Sequence, residues 1–177
     1  MNLVSVDVER LRKEFRIVGA LCGTLPGFPQ QNTFYGLPLS LSLEEVKTVI
    51  DLSKIKVILL IHQKSLHFKI EVAKVTNTLS PLPSINNSIF RYFWSLGYYV
   101  TSGYKFGGDY LLYPQDPTCC HSQFIVSIMH FDQNMTTKDA VQMGRLATNV
   151  KKKFVLAGSK NETEDEVAVF SLSWAGF

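Results

Sequence analysis

A phenol, an imidazole and a primary amine fall within the stretch Tyr110–Lys153. Tyr113 stands just before the proline-bounded turn PQDPT and His121 just after it. Lys152 sits where a helix-like run gives way to a strand-like one. RNA carries its own nucleophile, the ribose 2′-hydroxyl, so cleaving it requires only a base, an acid and a cation from protein. A neutral imidazole takes a hydroxyl proton near neutral pH, and a phenol can protonate a departing 5′-oxygen. An ammonium aimed at the equatorial oxygens of pentacoordinate phosphorus stabilises the transition state more than the ground state. His121, Tyr113 and Lys152 fit these roles in that order, with no metal and no cofactor. The products would be a 2′,3′-cyclic phosphate and a 5′-hydroxyl. The residues alone leave open which of Tyr113 and His121 is the base and which the acid.

Each residue also has an ordinary reading. A strand Tyr packs half-buried with a wet hydroxyl, and a lone His is commonly structural. The triplet Lys151, Lys152 and Lys153 suits a solvated face. For the trio to meet, two strands joined by PQDPT must set Tyr113 and His121 side by side while Lys152 arrives from a neighbouring strand. DYLLY and QFIVSIMHF alternate as strands should. On the second, His121 shares a face with Gln123 and Ile125, and Cys120 points the other way, which disfavours a Cys-His nucleophilic pair. Residues 137–149 read as a helix with Ala140, Met143 and Ala147 inward. Lys152, Phe154 and Leu156 follow on one strand face, so the Lys152 stem can lie along apolar surface.

The segments FGGDYLLYPQDP, HSQFIVS and GRLATNVKKKFVLA resemble the catalytic domain of tRNA-splicing endonucleases, which carries Tyr, His and Lys at these positions. The run VGALCGTLPGFPQQNTFYGLPLSLSLEE resembles the amino-terminal domain of that family's eukaryotic catalytic subunit for the 3′ splice site. The resemblance implies an α/β fold: an α+β N-terminal domain over residues 1–76, a short linker over 77–86, and a mixed-sheet α/β/α catalytic domain over 87–177. That catalytic domain would be of the restriction-endonuclease-like type. It also implies that Arg145 and Trp174 sandwich a base at the cut site, while the charge of Lys151 and Lys153 beside Lys152 suits contacts to RNA phosphates. The implied partners are precursor tRNA and the other subunits of a nuclear heterotetramer. The acidic turn NETEDE and the apolar terminal run VAVFSLSWAGF would dock against them. By composition alone the acidic turn is a solvated hairpin tip. The family's long polar insertion between domains is absent.

With 177 residues and 46% hydrophobic content, the chain can bury one good core or two small ones. A net charge of +3 and a pI near 8.7 permit a polyanionic partner without demanding one. Arg145 and Lys151–Lys153 crowd the proposed site, where phosphate contacts would make binding weaken with salt. The three cysteines, Cys22, Cys119 and Cys120, form neither an even disulfide framework nor a paired CxxC. A reducing, intracellular setting is expected. The start lacks the pattern of a signal peptide, and VILLI is too short to span a membrane. The sequons at Asn86, Asn134 and Asn161 then count as chance matches.

Further upstream, Leu3, Val4, Val6 and Val8 suggest a strand leading into a short helix or turn at the charged run ERLRKEFR. Gly19, Gly23 and Gly27 with Pro26 and Pro29 suggest a turn-rich connection, and no phosphate-binding loop, because the lysine-threonine ending is missing. Ser42 with Glu44 and Glu45 opens a helix bearing Leu43, Val46, Val49 and Ile50 on one side. KVILLIHQK and LHFKIEVAKV read as strands; His62 and His67 there have no third ligand nearby. TNTLSPLPSINNS is the domain boundary. Ile89, Phe90, Phe93 and Trp94 form an aromatic-packed helix closed by Gly97. Two other classes stay open. One is a structural subunit of the same complex, and the other a Mg²⁺-dependent nuclease begun by Asp109 and Asp116, for which no carboxylate-x-lysine follows downstream.

Overall fold

A computed structural model describes residues 3–23, 36–52, 85–130, 132–159 and 166–174. The strands read in KVILLIHQK and LHFKIEVAKV, with His62 and His67, lie outside these residues, as do most of the boundary stretch and the acidic turn. The amino-terminal elements are helix α1 (Leu3–Phe15), the antiparallel pair β1 (Ala20–Gly23) and β2 (Gly36–Ser40), and helix α2 (Leu43–Leu52). Helix α3 (Ile85–Ser95) then leads into β3 (Tyr99–Ser102), β4 (Tyr110–Tyr113) and β5 (Phe124–Ile128). Helix α4 (Thr137–Asn149) crosses over to β6 (Lys153–Ser159), and β7 (Val167–Leu172) returns beside it.

The five strands lie in chain order. Neighbours are antiparallel except β5 and β6, which run parallel and therefore need the crossover that α4 supplies. Strand alternation divides the core into two layers. Val100, Leu112, Val126, Val155 and Ala157 meet Ile85, Ile89, Phe90 and Phe93 of α3 on one face. Leu111, Ile125, Phe154 and Leu156 meet Ala147 of α4 on the other. Each large side chain sealed this way contributes about 1.5–3 kcal/mol of transfer free energy. Among them Phe154, Ile89 and Ile125 are completely covered. The carboxyl-terminal half is thus the α/β/α mixed sheet that the sequence led us to expect.

Three expectations need correction. Helix α1 begins at Leu3, so the expected strand over Leu3, Val4, Val6 and Val8 is its first half. Val4 and Val8 are four apart and fit either period, but the ion pairs Glu9–Lys13 and Arg10–Glu14 at i,i+4 close only in a helix. The start of the glycine-rich connection is a strand, β1, paired with β2, while Pro26, Gly27 and Pro29 lie outside the described residues. Leu43 is 66% exposed and so stands off the buried side of α2, which Val49 and Thr48 form instead. The start of α2 is as expected. Ser42 Oγ accepts from Glu45 N–H at 3.2 Å while Glu45 Oε2 accepts from Ser42 N–H at 2.9 Å, a reciprocal capping box. Buried Glu45 also accepts from the N–H groups of Val18 and Gly19, at 3.2 and 2.8 Å, and so locks the entry to β1 onto the helix.

Candidate active site

Register across the middle of the sheet places the trio at one end. Leu112 pairs with Phe124, and Phe124 with Lys153, so Tyr113, Gln123 and Lys152 occupy the next row outward. By the same alternation, Tyr113 and Lys152 belong to the α4 face. Tyr113 is half-buried against the cluster that holds Leu111 and Phe154. With strands about 4.8 Å apart, two strand spacings separate Tyr113 from Lys152, roughly 10 Å between backbones.

Lys152 owes its position to the end of α4. The N–H of Lys152 bonds the Ala147 carbonyl at 2.9 Å and that of Lys151 the Thr148 carbonyl at 3.1 Å, the paired bonds of a Schellman turn. The left-handed residue in it is Lys151 (φ 53°), a conformation that usually goes to glycine and costs a residue with a Cβ about 1–2 kcal/mol. The turn delivers Lys152 to the head of β6 with its side chain half-buried. Its Nζ donates to the Ser122 carbonyl at 3.0 Å and lies 5.3 Å from the centre of the Phe106 ring. An ammonium has three donors, so two remain for a phosphate. Phe106, which sequence reading passed over, forms the floor under this amine. It comes from a 3₁₀ turn, Tyr104–Phe106, between β3 and β4.

His121 departs from the expected arrangement. It lies outside β5, which begins at Phe124, and is exposed in the connection from Tyr113. Two contacts still tie its neighbours to the other two residues. Buried Ser122 holds Lys152, and Gln123 N–H bonds the Leu112 carbonyl at 2.9 Å, next to Tyr113. The connection itself is folded around Asp116. One carboxylate oxygen, Oδ1, accepts from Thr118 N–H at 2.8 Å, from Thr118 Oγ1 at 2.6 Å and from Arg12 Nη2 at 2.9 Å. Burial works to raise this carboxyl's pKa, but the Thr118 bonds and the Arg12 charge together lower it below its ordinary value. Its contribution to stability is therefore present above the unfolded pKa and lost as pH falls through the folded one.

The other residues divide into two groups. Arg145, on α4, and Trp174, after β7, are brought together, with the guanidinium carbon 5.1 Å from the centre of the indole. Buried Gly144 makes room, since a Cβ there would come within 3.3 Å of Trp174 Cβ. Both partners keep substantial exposure, 39% for Trp174. Lys151 and Lys153 are exposed on either side of Lys152. Asp109 and Asp116, the possible start of a metal site, flank opposite ends of β4. Asp109 Oδ2 accepts from Ile128 N–H at 2.7 Å, and Asp116 is engaged as above. Among the described residues no three metal-binding side chains gather.

Residues 85–168 match the family model for the tRNA intron endonuclease, catalytic C-terminal domain. Residues 5–61 match that for the TSEN34-like, N-terminal domain. The carboxyl-terminal half belongs to the tRNA-intron endonuclease family. The chain's domain order is that of a Sen34-type catalytic subunit. The probable tRNA-splicing endonuclease subunit sen34 of Schizosaccharomyces pombe is 26% identical over 96% of this chain and 92% of that relative. The human subunit Sen34 is 34% identical over 54% of this chain, which spans 30% of that relative's length. The tRNA-splicing endonuclease of Pyrobaculum islandicum is 38% identical over 49% of this chain and 47% of its own. Among the described residues of this tRNA-intron endonuclease, no helix is long and apolar enough to cross a membrane.

Proposed function

We propose that this chain cuts intron-containing precursor tRNA at the 3′ splice site, by attack of the ribose 2′-hydroxyl on the adjacent phosphate. The observation that carries the reading is the lacing of one sheet end. Lys152 Nζ bonds the backbone beside His121, and Gln123 N–H bonds the backbone beside Tyr113. His121 takes the 2′-hydroxyl proton, Tyr113 protonates the leaving 5′-oxygen, and Lys152 neutralises the charge gathering on the equatorial oxygens. The O–P bond to the 2′-oxygen forms as that to the 5′-oxygen breaks, leaving a 2′,3′-cyclic phosphate and a 5′-hydroxyl. No residue in this scheme requires a metal.

Arg145 and Trp174 supply a cation and an aromatic face for a base at the cut site, which must enter by parting their stacked contact. Lys151 and Lys153 flank the scissile phosphate. The reading includes an α+β N-terminal domain over 1–76 joined through a short linker, 77–86, to the catalytic domain over 87–177, acting in the nucleus with partner subunits of the same enzyme. Support for the partners comes from β7, an edge strand of the sheet that presents Val169 and Phe170, the latter 66% exposed. The acidic turn just before it would dock in a basic cleft of a neighbour. In a reconstituted complex, the triple variant Tyr113→Phe, His121→Ala, Lys152→Ala is expected to leave the intron attached to the 3′ exon while the 5′ cut proceeds. Loss of the 5′ cut alone would assign this chain to the other junction, and loss of neither would make it a scaffold.

A further inference from the structure

Helix α1 reaches the catalytic loop through a side chain that the scheme above does not use. A groove of about 240 Å³ between them is lined by Val8, Glu9, Arg12, Lys13, Asp116 and Thr118. At its floor Arg12 Nη2 lies 2.9 Å from Asp116 Oδ1, and each side chain of the pair keeps only about a fifth of its surface, 21% and 23%. Asp116 is the organising residue of the connection between Tyr113 and His121. Its side chain holds Thr118, and its carbonyl accepts from Cys119 N–H at 2.8 Å and from Cys120 Sγ at 3.7 Å. Arg12 therefore bonds the same oxygen that shapes the turn leading to His121.

The helix that carries Arg12 is itself seated on the catalytic domain. At its end, Trp94 Nε1 donates to the Phe15 carbonyl at 2.8 Å, and Arg16 Nη2 donates to the Trp94 carbonyl at 3.1 Å. The Arg16 guanidinium lies 4.7 Å from the centre of the Trp94 ring. Arg12 thus approaches Asp116 from a fixed support. A solvated ion pair between two mobile side chains would position nothing. This one is partly desolvated and anchored at both ends.

We propose that Arg12 is a positioning residue for catalysis: through Asp116 it sets the turn between Tyr113 and His121, so that the amino-terminal domain conditions the chemistry of the carboxyl-terminal one. This rests on the catalytic reading of His121. The mechanism is geometric. A base must lie within hydrogen-bond reach of its proton, and a displacement of about 1 Å can cost up to about 100-fold in rate.

The test uses the reconstituted complex with Cys22→Ser in this chain, so that Cys119 and Cys120 report on the turn. Two quantities are read for Arg12→Gln and Asp116→Asn: kcat and KM at the 3′ cut, and the iodoacetamide alkylation rate of Cys120 by mass spectrometry. Each variant is expected to lower kcat about tenfold with KM nearly unchanged, and to speed Cys120 alkylation several-fold. Arg12→Lys should recover most of both, and the double variant should be no worse than either single one. Unchanged kcat, a change confined to KM, or a fall in kcat with unaltered alkylation would each overturn the proposal. His121→Ala is run alongside. If it leaves the 3′ cut intact the catalytic reading fails, whereas the alkylation rates still decide whether Arg12 holds the turn.

Discussion

Replacing His121 by alanine is expected to lower kcat at the 3′ junction by about 10²–10⁴-fold, the range that a positioned general base contributes. KM should change little, because His121 is exposed in its loop. The small effect on folding makes this a clean measurement. Ser122 is the buried residue of the pair, and its carbonyl bond to Lys152 survives the change. Added imidazole should restore part of the rate, since the exposed position admits a free base. Single-turnover cleavage with and without imidazole is the check. A variant within about twofold of wild type would remove His121 from the chemistry.

Lys152→Met keeps the apolar stem and removes the charge. Its expected cost is about 10²–10³-fold in kcat, comparable to the loss of one preorganised donor to a developing oxyanion. Methionine can lie against Phe106 as the lysine stem does, so the floor of the site is preserved. The Ser122 carbonyl loses a partner, yet its neighbour Gln123 stays in the ladder through Leu112 and Lys153. A fall in kcat with an unchanged melting temperature is therefore expected. Comparable loss from Lys151→Met would show that the triplet acts only as diffuse charge. Exposed Lys151 and Lys153 should instead mainly weaken binding, and more so at low salt.

The parts of the site that strand parity governs were legible in the chain. Alternation through KKKFVLAG puts Lys152, Phe154 and Leu156 on one face, and the sheet keeps Phe154 and Leu156 in one core layer. Parity misled at His121, because the ladder starts only at Gln123 and the side chains of Asp116 and Thr118 fold the preceding residues into a turn of their own. Vicinal Cys119 and Cys120 drew attention in that stretch, whereas Asp116 organises it. Contacts far apart in sequence left no local signal. Arg12 meets Asp116 across 104 positions and Arg16 meets Trp94 across 78, and neither pair shares an element whose period could announce it. Helix α1 was within reach. Glu9 to Lys13 and Arg10 to Glu14 are spaced one turn apart, and carrying that period back through Val8 and Val4 extends the short helix expected at ERLRKEFR over the valine alternation.

The most direct test of the account is cleavage of an intron-containing precursor tRNA by the reconstituted complex in excess EDTA, with the ends at the 3′ junction identified chemically. The account predicts an undiminished rate, a 2′,3′-cyclic phosphate on the intron and a 5′-hydroxyl on the 3′ exon. Loss of that cut in EDTA with recovery on added Mg²⁺, or a 5′-phosphate on the exon, would contradict it, since an activated water and not the 2′-hydroxyl would then be the nucleophile.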